Sequence, residues 1–441
     1  MNDQEWHADR DSRTLRYAGR VLDPERWILL RADGAHASSY DGQVAILTAA
    51  NLFSRMTPAV ALDIPSVPIV APLPWAGLDL QDHVLKTMYR ADPYGRFESR
   101  PHRGQDYVVH LGTCGAERIA HGTGWNTYVG PGPSPLRQAA VLNPIGPAMA
   151  AILMAAVAFR SNLDGYSEMV QLNGFDWEHS SIDAKSTELP VDPELGNIWT
   201  VGTGSVGTAI LYFLTLATHR FSTVLFDMDL VKIHNLDRSP IFADGHVRLP
   251  KVEATASWLA QFGLMGVRQE PCSLDDSTLW KNREAGTPDL VIATANERNV
   301  RPVIETAFPP IQIYGTTGKN WQAAVIRHAP LADPCSSCLY READHVATVC
   351  ATGEVRRKEE SVDVALPFLS FAAGAMAAAE ILKLTLPGFP FSPNRVVLNT
   401  QPVIRLVKAP LAQRDGCICQ HRSRNVHRQM IAGSRFAHLL P

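Results

Sequence analysis

The chain has 441 residues, enough for two or three domains, and its 41 Lys plus Arg against 44 Asp plus Glu give a formal charge of −3. That balance argues against a dedicated nucleic-acid binder, which needs clustered cations. A composition of 46% hydrophobic and 19% charged residues excludes extended disorder. Residues 1–20 are polar and charged with no apolar core of a signal peptide, so a cytoplasmic location is expected.

The first 190 residues or so are irregular and rich in Pro, Gly and Ala. Within them the pattern predicts a strand over 43–47, a short helix over 49–56, and a strand over 59–64 ending near Asp63. The uncharged run 138–159 is continuously apolar only from 148 to 159. A bilayer span needs about 20 residues, so this run predicts a buried helix and no membrane association.

The most orderly stretch begins near Asn197. Residues 198–201 read as a buried strand, followed by a loop with Gly202, Gly204 and Gly207 and an apolar helix to about Thr218. A second strand, 223–226, ends in Asp227. Strand, glycine loop, helix, strand, acid is the order of a dinucleotide-binding half. Short apolar strands over 289–294 and 311–315 and a helix over 366–386 complete a parallel α/β pattern. The small-residue run 146–159 is similar to 370–382, which points to internal duplication. The first copy has lost its glycine loop, because Thr48-Ala49-Ala50-Asn51 offers no close backbone approach. The expected organisation is a degenerate α/β domain over 1–190 and a working one over 191–441. A plain partner-binding domain is the alternative for the first.

A glycine loop and an acid serve an NAD enzyme and a nucleoside triphosphate enzyme equally well. The residues after Asp227 separate the two. Asp227 and Asp229 lead into Asn235 and Arg238, and Lys251 stands thirteen residues after Arg238. Converging cations of this kind neutralise β- and γ-phosphates during displacement, a need that a nicotinamide enzyme lacks.

The cysteines are 114, 272, 335, 338, 350, 417 and 419, and a disulfide framework is not expected in a reducing compartment. The pairs Cys335/Cys338 and Cys417/Cys419 have the thiolate spacing that a tetrahedral Zn²⁺ site uses. His421 is an alternative ligand to one of the second pair, and separate redox-active thiols are the other reading. Cys350 lies in the polar stretch 344–364 with Arg356, Arg357 and Lys358 nearby. Such cations favour the thiolate, and an incidental semi-exposed thiol is the other reading. Cys114 and Cys272 read as structural, and His234 as a surface histidine.

The run Asp227/Asp229, Asn235-Leu236-Asp237-Arg238 and Pro250-Lys251 resembles the ThiF, MoeB and ubiquitin-activating enzyme family over residues 197–420. The resemblance implies a Rossmann-like adenylation fold with a degenerate N-terminal copy. It implies an enzyme that uses ATP and Mg²⁺ to adenylate the C-terminal tail of a ubiquitin-like protein or a small sulfur carrier. Asp227 would hold the ribose, with Asn235, Arg238 and Lys251 on the phosphates and Zn²⁺ on Cys335, Cys338, Cys417 and Cys419. Residues 340–365 correspond to the family's crossover loop, which in conjugating members carries the thioester cysteine, here Cys350. Two positions depart from the family. Asn296 stands where an Asp helps bind magnesium, with Asp229 or Glu297 available to compensate, and Ser239 replaces a Gln. The fused architecture resembles the activating component of bacterial ubiquitin-like conjugation operons that serve antiphage defence. The implied partners are a ubiquitin-like protein, a conjugating enzyme and a second copy in a homodimer. An adenylyltransferase of the sulfur-carrier kind for thiamin, molybdopterin or a peptide natural product, and a non-catalytic scaffold for a ubiquitin-like tail, are the rival functions.

Overall fold

The computed structural model describes residues 2–113, 117–163, 168–179, 187–264, 266–279, 286–295, 300, 303–304, 309–329, 333–335, 338, 366–387, 393–417 and 423–440. In chain order the first lobe comprises α1 (Asp3–Arg10), α2 (Ser12–Ala18), β1 (Ile28–Arg31), α3 (Gly34–Ala37), α4 (Tyr40–Met56), β2 (Ala59–Asp63), α5 (Leu80–Ala91) and β3 (Arg96–Ser99). It continues with β4 (Tyr107–Leu111), β5 (Ile119–Thr123), β6 (Asn126–Gly130), α6 (Ile145–Ser161) and β7 (Val170–Asn173). The second lobe has β8 (Gly196–Val201), α7 (Ser205–Ala217), β9 (Phe221–Phe226), α8 (Lys251–Ala260), β10 (Val267–Glu270) and β11 (Leu290–Ala293). After these come β12 (Gln312–Gly318), β13 (Gln322–His328), α9 (Pro367–Lys383), β14 (Arg395–Asn399), β15 (Arg405–Lys408) and α10 (Ser423–Ala432).

The sheets repeat one plan. Their orders are β3-β2-β1-β4-β5-β6-β7 and β10-β9-β8-β11-β12-β13-β14-β15, so the second is the first with one strand added. Each central strand is parallel to both neighbours: Leu29 pairs with Ala61 and Val108, and Trp199 with Val224 and Val291. Each sheet turns antiparallel at the corresponding hairpin, β5–β6 and β12–β13. The fold is the expected Rossmann-like α/β class with an N-terminal copy.

The duplicated small-residue helices are α6 and α9, each 17 residues long and placed between equivalent strands. They pack on each other across the two lobes, and Phe159 meets Phe368 there with ring centroids 5.6 Å apart. Small side chains allow this closeness. Within the second lobe the same device seats α9 on α7, where a Cβ at Gly374 would come within 2.3 Å of the Ala209 Cβ. One hydrophobic cluster therefore runs through both lobes.

The first copy's elements differ from expectation. Residues 43–47 are not a strand but part of α4, and Thr48–Asn51 sit in the middle of that helix. The true first strand is Ile28–Arg31, and the counterpart of the glycine loop is the segment after it, Ala32 to Ser39. The physical reason is burial: every residue of α4 is buried, so the helix shows no polar face and reads locally like a buried strand. Ser39 caps it, its side chain accepting from the Gly42 N–H.

Candidate functional site

The site forms where β8 delivers the glycine loop to the N-terminus of α7. Gly202 has φ +93°, and a Cβ there would meet the Ala295 backbone N at 2.6 Å. At Gly207 a Cβ would meet the Gly202 carbonyl oxygen at 2.0 Å. Both positions need glycine for the turn and for helix packing. Gly204 faces open space, which leaves the α7 amides accessible to an anion.

Asp227 follows directly on β9 and ties this loop down. Its Oδ2 accepts from the Thr203 N–H at 2.8 Å and its Oδ1 from the Asp229 N–H at 2.9 Å. Burial pushes its carboxyl pKa up, opposed by the charge of Lys251. Lys251, the first residue of α8, reaches back to the same turn. Its Nζ donates to Asp229 Oδ2 at 2.6 Å and lies 3.8 Å from Asp227 Oδ1.

Asn235 closes a short 3₁₀ turn, its Oδ1 accepting from the Lys232 N–H at 2.9 Å. Its carbonyl accepts from the N–H groups of Arg238 and Ser239 at 3.4 and 3.1 Å. Arg238 is 4% exposed and its Nη1 lies 3.3 Å from Asp237 Oδ1. Ser239 shares a hydrogen bond of 2.8 Å with Thr208 in the first turns of α7. The loop bearing Arg238 is thus docked on the glycine-loop helix. His234 is more than a surface histidine. Burial first, then the charges of Arg13, Arg238, Lys232 and Lys251, push its pKa down to about 3. A neutral imidazole whose protonation four cations oppose marks a locally positive environment.

Sequence reasoning missed what the first lobe brings here. Thr14 Oγ1 donates to Asp237 Oδ2 at 3.1 Å, and Trp6 Nε1 donates to Asp244 Oδ1 at 3.0 Å. The N-terminal helices therefore strap the loop from above, anchored to their own lobe by Arg10 on Asp92 at 2.6 Å. No local pattern signals such contacts, which join residues more than 200 positions apart.

The thiols of Cys335, Cys338 and Cys417 lie together, their sulfurs within 4.8 Å of one another. The Sγ separations from Cys335 are 3.9 Å to Cys338 and 3.4 Å to Cys417. Zn–S bonds of about 2.3 Å place tetrahedral sulfurs about 3.8 Å apart, so these three thiols have the spacing to share one ion. Cys419 and His421 lie outside the described residues, as do Cys114, Asn296, Glu297, Cys350 and the whole stretch 340–365. Cys272 is half-buried and its thiol pKa is raised by burial and by Glu270, Asp276 and Asp275.

Residues 196–417 match the model of the ThiF family, half of the chain. The chain belongs to the ThiF family. Membership supports an adenylyltransferase. Among solved structures, the ThiF-family chain is similar to E. coli MccB with ATP, at 16% identity over 51% of this chain and 66% of that one, with a TM-score of 0.39. The microcin C7 biosynthetic enzyme MccB in complex with N-formylated MccA matches at 16% identity over 51% and 67%, TM-score 0.39. No curated protein matches the chain. No described helix is long and apolar enough to cross a membrane.

Proposed function

We propose that this ThiF-family chain is an ATP-dependent activating enzyme for a ubiquitin-like protein, with catalysis in the second lobe and a degenerate first lobe. The observation that carries this reading is geometric: Lys251, held at the Asp227–Asp229 turn, and the Arg238 loop, docked on α7 through Ser239 and Thr208, flank a glycine loop open at Gly204. A triphosphate laid over the α7 N-terminus meets backbone amides at one end and these cations at the other. The tail carboxylate attacks the α-phosphorus, the α–β bridging P–O bond breaks, and pyrophosphate leaves as the acyl-adenylate forms. Arg238 and Lys251 stabilise the charge that builds on the departing pyrophosphate. Asp229, with its side chain 27% exposed, and Asn296 are the residues that would hold Mg²⁺, which neutralises phosphate charge when bound. The Cys350 thiolate then attacks the acyl carbon, AMP leaves, and the thioester is passed to a conjugating enzyme.

The degeneracy of the first lobe, taken as 1–190, has its own support. Asp63 holds the place of Asp227 but is paired with Arg31, Nε to Oδ2 at 2.7 Å. The loop after β1 carries His36, whose ring packs against Gly112 after β4, whereas in the second lobe it is the glycine Gly202 that approaches Ala295 after β11. For the thiol cluster, the fit to tetrahedral spacing supports a structural Zn²⁺ completed by Cys419. The test of the function is ATP–pyrophosphate exchange that depends on a ubiquitin-like protein encoded beside this chain. Exchange that no such protein stimulates would sink it.

A further inference from the structure

Arg55 belongs to the last turn of α4 in the first lobe, yet most of its acceptors belong to the second. Its Nη1 donates to the Leu236 carbonyl at 2.5 Å, and its Nη2 donates to the Phe242 and Pro240 carbonyls at 2.9 and 3.3 Å. Its Nε donates to Asn51 Oδ1 at 2.8 Å, one helical turn back, and Asn51 Nδ2 donates to the Pro240 carbonyl at 3.1 Å. Arg55 is 3% exposed and makes no ion pair with a carboxylate among the described residues.

A buried cation with no carboxylate in hydrogen-bonding reach is costly, and burial, opposed by the charge of Asp237, pulls its pKa down to about 9. Lobe packing alone would be served by an apolar side chain, as it is at Phe159 and Phe368. The planar fork does something else: it gathers three backbone carbonyls of one irregular segment. That segment, 236–242, carries Arg238 and Ser239.

We propose that Arg55, aligned by Asn51, is a positioning residue of the nucleotide site: it holds segment 236–242 in the shape that presents Arg238 to the β- and γ-phosphates. The degenerate lobe is then an obligatory part of the active lobe's phosphate site. This rests on the adenylation function proposed for the second lobe.

The test uses the full chain as Arg55→Lys, which keeps the charge and loses the fork, and as Asn51→Ala, which leaves Arg55 in place. Three quantities are measured: the melting temperature, backbone hydrogen exchange across 236–242, and displacement of a fluorescent nucleotide by MgATP and by AMP. In folded variants, exchange over 236–242 should rise at least roughly tenfold and MgATP affinity fall by a similar factor, less than the roughly 10²-fold of removing a charge-stabilising donor outright, because Arg238 is displaced and not lost. AMP, which lacks the outer phosphates, should bind within about twofold of wild type on the same argument. Unchanged exchange, or equal losses for MgATP and AMP, would show Arg55 to be structural only and overturn the proposal. A wild type that binds neither nucleotide overturns the adenylation reading and the phosphate role with it, while the exchange data still decide whether Arg55 holds the segment.

Discussion

Lys251 and Asp229 are linked twice: the Lys251 Nζ donates to the Asp229 carboxylate at 2.6 Å, and the Lys251 N–H donates to the Asp229 carbonyl at 2.9 Å. A lysine at the first position of a helix faces the positive end of the helix dipole, so it is poorly placed unless an anion joins it. Asp229 is the resident anion, and a phosphate is the visitor the position suits.

Lys251→Ala and Arg238→Ala should each lower pyrophosphate exchange by roughly 10²-fold or more, the scale of removing one charge-stabilising donor. Exchange near wild type in both would remove the triphosphate assignment.

His234 supplies a pH readout. Its pKa is depressed to about 3 from 6.5, so below pH 6.5 the unfolded chain takes up a proton that the folded chain refuses. Its contribution to stability is therefore lost as pH falls from 6.5 toward 3, and His234→Gln should flatten that part of the stability–pH curve. MgATP brings negative charge to the surrounding cations and should raise the His234 pKa, followed by its imidazole proton resonance. A pKa unmoved by saturating MgATP would place the phosphates elsewhere.

The thiol cluster should hold about one zinc per chain, lost in Cys335→Ser and in Cys417→Ser. Melting should drop on chelation, because a structural site contributes folding energy. An equally stable metal-free wild type would defeat this.

Cys350→Ala should keep pyrophosphate exchange yet lose an ATP-dependent, reductant-sensitive adduct with the ubiquitin-like protein on a non-reducing gel. Lys251→Ala should lose both, since no adenylate forms for a thiol to attack. Cys272 is a poor substitute, its thiol held protonated by burial and three nearby carboxylates. A wild type that adenylates but never forms the adduct would favour the sulfur-carrier function.

Much of the second lobe was legible because its requirements are local. Gly202 must adopt φ +93° and Gly207 must clear a carbonyl within its own loop, so the glycine spacing reveals the turn. Asp227 reaches Thr203 across adjacent strand ends, and strand–helix alternation places it there. Cys335 and Cys338 are three positions apart, and their pairing with Cys417 follows from thiol chemistry.

What tertiary structure alone decided lies where one lobe meets the other. The strand at Ile28–Arg31 and the helix over Gln43 could not be told apart from short apolar runs, because a helix buried on every side carries no periodic polar face. Thr14, Asn51 and Arg55 have no motif, since their partners lie 181 to 223 positions away along the chain. Local sequence determines a turn, a cap or a ligand pair; it says nothing of which distant backbone carbonyl a buried guanidinium will meet. That choice is made by the packing of α6 on α9, which sets the first lobe's α4 against the loop that bears Arg238.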